Sequence, residues 1–354
     1  MKNRFSLIII ILLFLFLFTA LNWNSFTAPF ERDEGEYAYS AWLLRSEGIP
    51  YQDSFLQKPP LIIYTYAVGQ LMSPWAVWPP RVLATLFVLL TSFLVGVIAT
   101  KEWGKRIGFF SAFLFLPFIA FPPLAPFAAN TEKFMILPMM GLVTLFVYFK
   151  DKQKLWVYIL AGLLSTSAIF YKPICLPIVL FIDVFWLVYL SRSLTVSFLR
   201  PLLVIFTSAV IFTGLLLLPF IKVLPVLFQE VFAFNFSYAG SFDNPLTNLI
   251  NYLLKFLRYW WVLLFLLLAL FYSKPKSILY YFALLIFSLL TVFSAPSGLG
   301  HYYLMLMPFL ALLCGALFSS FLERFGGSYG NLITIVAVCV ICLTVLLPFN
   351  RQFF

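Results

Sequence analysis

Charge is scarce in this chain. Only 10% of its 354 residues are Asp, Glu, Lys or Arg, against about 25% in an ordinary soluble domain. There are thirteen acids, one histidine and four cysteines. The lone His301 excludes a histidine-built metal centre. Cys175, Cys314, Cys339 and Cys342 all sit in apolar runs without metal-ligand spacing to histidine, so they read as small buried hydrophobes. No polar linker or low-complexity tail interrupts the sequence. The 23 Lys and Arg residues exceed the acids by ten, yet they are scattered singly and build no basic stripe, which argues against nucleic acid as a partner.

What the chain has instead is apolar length. Hydrophobic residues make up 63% of it, and a water-soluble globule has no way to hide that much greasy surface. The class is therefore an all-α polytopic membrane protein. A spanning helix needs about 20 apolar residues. Such runs place roughly eleven transmembrane helices, at about 5–23, 80–100, 106–124, 132–149, 155–171, 174–191, 201–220, 258–273, 277–294, 302–321 and 331–349. The basic start and 17-odd apolar residues at the N-terminus resemble a signal peptide, but no small-residue cleavage site follows, so the segment reads as a retained first span. Pro138, Pro177 and Pro308 fall inside spans, where neighbouring helices can satisfy the freed carbonyls.

The basic residues fix an orientation. Lys2, Arg4, Lys101, Lys105, Arg106, Lys150, Lys152, Lys154, Arg192, Arg200, Lys274, Lys276 and Arg324 all fall in loops on one side, which the positive-inside rule makes cytoplasmic. The chain is expected to lie in a plasma (inner) membrane with a cytoplasmic N-terminus. Most of the acids fall on the other side. Two extracytoplasmic loops are long, 24–79 and 221–257; the first carries two stretches that read as interfacial helices, "DEGEYAYSAWLLRSEG" and "PPLIIYTYAVGQLM", and the second also has an amphipathic section. Residues 1–354 read as a single transmembrane domain without a soluble C-terminal domain.

Chemistry-bearing residues gather on the acid side. In "ERDEGEY", Glu31, Asp33, Glu34 and Glu36 crowd into six positions. Asp33 as N-cap and Glu36 at the third helical position would form a capping box. The alternative is a functional carboxylate cluster, able to serve as general base or to hold Mg²⁺ or Mn²⁺ through Asp33 and Glu132. In "QKPPL", Lys58 is either a snorkelling lysine or an ammonium aimed at a phosphate; Arg81 in "WPPRVL" has the same two readings. "ANTEKF" opens a span with Glu132, capped by Asn130 or Thr131. "FYKPI" places Lys172 at the end of another, and "GLGHYYL" brings His301, Tyr302 and Tyr303 to the same level. Asp183 alone lies inside a span, with its role open. Acids and bases converging at one lipid–water interface suggest an anionic lipid substrate and a second, polar one.

The motifs "RDEGEYAYSAWLL" and "QKPPLIIY", followed in order by "PPRVLATLF", "NTEKFMILPMMGLVTLFVYF", "AGLLSTSAIFYKP" and "GHYYLMLMPFLALLCG", resemble the GT-C membrane glycosyltransferases, the superfamily of protein O-mannosyltransferases and aminoarabinose transferases. The resemblance covers about residues 5–320. It implies transfer of a sugar from a polyprenyl-phosphate donor to an acceptor at the extracytoplasmic face. Asp33 would be the principal catalytic carboxylate, with Glu34 shaping the site and Glu132 as the second acid. Lys58 would hold the donor phosphate, with Arg81 and Lys172 as further candidates, and Tyr37, His301 and Tyr302 would contact substrate. In the aminoarabinose branch a basic residue lies three positions after the first Asp; here that position is Glu36. Without the soluble C-terminal domain of several relatives, the acceptor is expected to be a lipid or cell-surface glycan. The alternatives are a protein O-glycosyltransferase, a transporter or flippase of a lipid-linked sugar, and a non-catalytic lipid-binding subunit.

Overall fold

The computed structural model describes residues 23–120, 124, 127–193, 198–240, 250, 278–293 and 300–325. Among them the regular structure is helical. The expected spans at 5–23, 258–273 and 331–349 lie outside the described residues, as do Cys339 and Cys342.

After a 3₁₀ turn at Trp23–Phe26 come two short helices, α1 (Arg32–Arg45) and α2 (Leu61–Met72). These are the two stretches expected to be helical in the 24–79 loop. Then follow α3 (Trp78–Trp103), α4 (Lys105–Ile119), α5 (Thr131–Phe149), α6 (Leu155–Tyr171) and α7 (Leu176–Ser193), the last entered through a 3₁₀ turn at Pro173–Cys175. Next come α8 (Leu199–Leu217), α11 (Ile278–Phe293) and α12 (Met307–Phe325), with a 3₁₀ turn at Gly300–Leu306 before α12. Between α8 and α11 the structure departs from expectation. Residues 221–237 are not a loop. A 3₁₀ turn (Leu218–Val223), α9 (Leu224–Phe228), a π turn (Gln229–Ala233) and α10 (Phe234–Gly240) prolong α8.

Five helical runs are long and apolar enough to cross a membrane: Trp78–Trp103, Thr131–Phe149, Pro173–Arg192, Leu199–Ser237 and Gly300–Ser320. Thr131–Phe149 and Gly300–Ser320 run through the middle, with 72% of the residues in their most apolar 18-residue stretch buried, whereas the same stretch of Leu199–Ser237 has only 17% buried and lies at the periphery. Its exposed Leu203, Phe206, Val210, Ile211 and Leu215 present the apolar surface that hydrocarbon tolerates and water does not. At about 1.5 Å per residue this 39-residue run is roughly 58 Å long, about twice the hydrocarbon thickness.

Without water there is little hydrophobic drive between spans, so close backbone approach carries the packing. Gly162 of α6 sits directly against Ser208 and the Ile205 carbonyl of α8, and Gly315 of α12 against Ser111 of α4. Ser92 of α3 donates to the Ala112 carbonyl of α4 at 2.7 Å. Aromatic pairs fill the rest, among them Phe110–Phe318 and Phe181–Phe287, both stacked at 4.2 Å.

The chain direction of these helices sorts the charges. The basic residues Lys101, Lys105, Arg106, Lys150, Lys152, Lys154, Arg192 and Arg200 collect at one end of the bundle. The starts of α1, α2, α3 and α5, the end of α6 and the Gly300–Leu306 turn collect at the other, and they carry every candidate site residue.

Candidate active site

The cluster in "ERDEGEY" divides into two parts with different surroundings. The helix begins two residues earlier than expected. Glu31 is the N-cap of α1 and Glu34 the third helical residue, so the capping box uses Glu31 and Glu34 rather than Asp33 and Glu36. Glu34 Oε2 accepts the Glu31 N–H at 2.9 Å. This turn aims Glu34 inward, where it is fully buried. There it also accepts Arg81 Nε (2.9 Å), Arg81 Nη2 (2.5 Å) and the Ala129 N–H (2.7 Å).

Arg81 is equally engaged. Its remaining N–H groups donate to the carbonyls of Ser25, Ala28 (2.6 Å) and Pro29 (2.8 Å). All five guanidinium donors are spoken for and the side chain is 2% exposed, so none is left for a phosphate. The expectation of Arg81 as a phosphate ligand is corrected on that ground. Glu34, saturated by four donors, is likewise no base; it ties α1, α3, the 25–29 segment and the approach to α5 together.

Asp33 points the other way. Its side chain is 20% exposed. Its Oδ2 accepts one long bond, from Tyr37 Oη at 3.4 Å, and Arg32 Nε stands 3.8 Å from its Oδ1 on a side chain that is 79% exposed. A carboxylate held this loosely keeps lone pairs for a substrate hydroxyl. Tyr37 itself is buried, edge-to-face on Tyr66 at 5.4 Å, so it backs Asp33 rather than opening onto the site. Burial raises Glu36, one turn on, above the ordinary carboxylate range; Asp33 adds to this and Lys58 opposes it.

Lys58 is buried. Among the described residues no hydrogen bond or ion pair reaches its ammonium, although Lys172, Asp33, Glu132 and Glu36 all lie within its electrostatic reach. Burial and then Lys172 lower its pKa to about 8, against the pull of the three carboxylates. Its backbone is held by Tyr51, whose Oη donates to the Lys58 carbonyl at 2.8 Å, and by Pro59 and Pro60 leading into α2.

Glu132, Lys172, His301 and Tyr302 meet behind this pair. Lys172 Nζ bonds Glu132 Oε1, His301 Nε2 lies 3.8 Å from the same oxygen, and Thr131 Oγ1 donates to Oε2 at 3.3 Å. The Lys172 ammonium also stands 3.9 Å over the Tyr302 ring, and His301 meets that ring edge-on at 4.8 Å. Burial works against charge on Lys172, but Glu132 and Tyr302 outweigh it and hold the group above its ordinary value. Asn130, the N-cap of α5, reaches across to Glu31 Oε2 at 2.9 Å.

The donor set does not fit a divalent cation shared by Asp33 and Glu132. A lysine ammonium occupies Glu132 Oε1, and among the described residues no three of His, Cys, Asp and Glu gather as metal ligands. Asp183 lies apart, in α7, accepting Ser165 Oγ at 2.9 Å. Tyr51, Tyr66, Lys133, Glu230 and Asn235 belong to this end of the bundle and escaped the sequence reading. Tyr66 Oη donates to the Ala129 carbonyl at 3.0 Å, and Lys133 is buried within the fields of Glu34, Arg81 and Glu31. Apart from Tyr51, which bonds Lys58 seven positions on, no local pattern announces them, because their partners lie far along the chain; Glu230 bonds the Leu56 N–H across 174 positions.

No family model matches the chain, and no curated protein is similar enough in sequence to match. Among solved structures, ArnT from Cupriavidus metallidurans bound to undecaprenyl phosphate superposes with a TM-score of 0.68 at 16% identity over 93% of this chain. The fold is that of ArnT. The apo state of ArnT gives a TM-score of 0.66 at 15% identity over 96% of this chain. The chain spans 63% and 64% of the length of these two ArnT chains. The ArnT fold is the GT-C architecture to which the sequence motifs pointed, and it accounts for the helical bundle with α1 and α2 lying over one end.

Proposed function

We propose that the chain is a membrane-embedded glycosyltransferase. It moves a sugar from a polyprenyl-phosphate donor to a hydroxyl of a lipid or cell-surface glycan, at the extracytoplasmic face of a plasma membrane. The observation that carries this reading is Lys58, a buried ammonium without an ion pair among the described residues, within electrostatic reach of the partly exposed Asp33. A cation left unpaired in a buried place is stabilised by an anion from outside. The likeness to ArnT, which has been seen with undecaprenyl phosphate, supports a polyprenyl phosphate as that anion.

In this reading Asp33 takes the proton of the acceptor hydroxyl as its oxygen attacks the anomeric carbon. The bond between that carbon and the donor phosphate breaks, and polyprenyl phosphate leaves with the electron pair. Lys58 receives the charge that grows on the phosphate, where positive charge lowers the barrier most. Lys172 adds positive field while its bond to Glu132 and its place over the Tyr302 ring hold it in position. A single displacement of this kind inverts the anomeric centre. The chemistry needs no metal-bound step.

The test is sugar transfer from a polyprenyl-phosphate-linked donor in proteoliposomes. Asp33→Asn, which keeps shape and removes the base, is expected to lower kcat by about 10²–10⁴. Lys58→Ala is expected to raise the donor KM. Full activity in the Asp33→Asn protein would remove Asp33 from the mechanism, and transbilayer movement of a lipid-linked sugar without transfer product would replace the enzyme by a flippase.

A further inference from the structure

Among the described residues nothing grips the Lys58 ammonium, so its place is set by its backbone. That backbone is held at three consecutive residues by three side chains. Leu56 N–H donates to Glu230 Oε2 at 2.8 Å, Asn235 Nδ2 donates to the Gln57 carbonyl at 3.0 Å, and Tyr51 Oη donates to the Lys58 carbonyl at 2.8 Å. Rings close the flanks: Phe55 meets Phe234 edge-on at 4.9 Å, and Tyr51 meets Phe220 at 5.4 Å. Tyr51 sits at φ 71°, a left-handed conformation that non-glycine residues seldom adopt. Its two contacts keep it there.

Glu230 and Asn235 both come from the peripheral run that prolongs α8, five residues apart. An α-helix turns about 100° per residue, so residues five apart point about 140° away from each other. On such a helix the two side chains would not reach neighbouring residues of one strand-like loop. The π turn at Gln229–Ala233 changes this. The Phe234 N–H reaches back five residues to the Gln229 carbonyl, which stacks residue i+5 over residue i. Asn235 is anchored further by a 2.7 Å bond to the Val231 carbonyl inside the same turn. The irregular turn therefore aims two polar groups at Leu56 and Gln57.

We propose that Glu230 and Asn235, aligned by the π turn, are positioning residues for donor binding: they set where the Lys58 ammonium meets the donor phosphate. This rests on the reading of Lys58 as the phosphate ligand. Neither residue touches the reacting atoms. Their effect passes through the backbone of residues 56–58 to one charged atom, because a lysine is a point charge on a flexible stem and is only as well placed as its Cα.

The test combines kinetics with a measurement that needs no turnover. Glu230→Ala and Asn235→Ala are each expected to raise the donor KM about ten-fold while kcat stays within about two-fold, the size of effect that supporting contacts have on a site. Glu230→Gln keeps an oxygen for the Leu56 N–H and is expected to restore the donor KM. In parallel, acylation of Lys58 followed by mass spectrometry against pH gives its titration midpoint. The intact protein is expected near 8, and both alanine variants are expected to move it upward as the ammonium loses its buried place. An unchanged midpoint with unchanged donor KM overturns the proposal. So does a loss of kcat and thermal stability together at an unshifted midpoint, because that describes a merely structural contact. Lys58→Ala separates the two levels. If it leaves the donor KM intact, the phosphate role of Lys58 fails, while the midpoint in the Glu230 and Asn235 variants still reports whether they position it.

Discussion

Arg81→Ala removes five N–H donors from a place that water does not reach. Glu34 would keep the Ala129 and Glu31 amides but lose both guanidinium contacts, leaving a fully buried carboxylate without its ion-pair partner and with only the field of Lys133 to offset it. The carbonyls of Ser25, Ala28 and Pro29 would lose a donor each. Breaking a buried ion pair from one side costs about 3–5 kcal/mol, a large share of the total for a protein whose net stability is of order 5–15 kcal/mol. The expected outcome is a marked fall in the midpoint of thermal or SDS unfolding in detergent, with activity lost in proportion to folded protein. Glu34→Ala is expected to cost a similar amount, and the double variant clearly less than the sum, because no charge is then stranded. The refuting result is equally plain. An Arg81→Ala protein with the stability of the parent and a raised donor KM would make Arg81 a phosphate ligand, and the argument from its saturated donors would be wrong.

Three further outcomes follow from the same geometry. Lys58 must be protonated to attract a phosphate, and burial with Lys172 lowers its pKa to about 8; kcat/KM for the donor is therefore expected to fall as pH rises through about 8, and a flat profile across pH 7–9.5 would exclude Lys58 from donor capture. Because Glu132 is occupied by Lys172 rather than open to a cation, prior treatment with EDTA is expected to leave the transfer rate within about two-fold of the untreated value, and a loss restored by Mg²⁺ or Mn²⁺ would contradict the ligand analysis. Gly162→Ala would drive a methyl into Ser208 Oγ and the Ile205 carbonyl; the carbonyl belongs to a helix and cannot rotate aside, so a loss of about 1–3 kcal/mol is expected in an unfolding titration, whereas Gly35→Ala, also helical but meeting nothing, is expected to hold or gain up to about 1 kcal/mol.

The fold was readable in the sequence wherever apolar length alone decides it. The runs at 80–100, 132–149 and 155–171 became α3, α5 and α6 with ends moved by a few residues. The helix that begins in the 201–220 run continues past Pro219 and Pro225, which fall at the first turns of new helical segments, where a missing N–H costs nothing. Within the site, residue type and level were legible: Asp33, Lys58, Glu132, Lys172 and His301 do come together at one end. Which of them are free and which are mutually satisfied was not, since that depends on a two-residue shift in the start of α1. With Glu31 rather than Asp33 as the cap, Glu34 turns inward to Arg81 and Asp33 turns outward.

The Glu34–Arg81 junction also bears on the order in which the molecule is built. Its parts come from residues 25–29, 31–34, 81 and 129, and they become available in two stages. Once Arg81 has been made, both charges and all five guanidinium donors have their partners within residues 25–34. The Ala129 N–H adds the fourth donor to Glu34 only when the chain reaches the approach to α5. The early part of the chain therefore carries its own charge balance, and the later helices join an end of the bundle that is already neutralised.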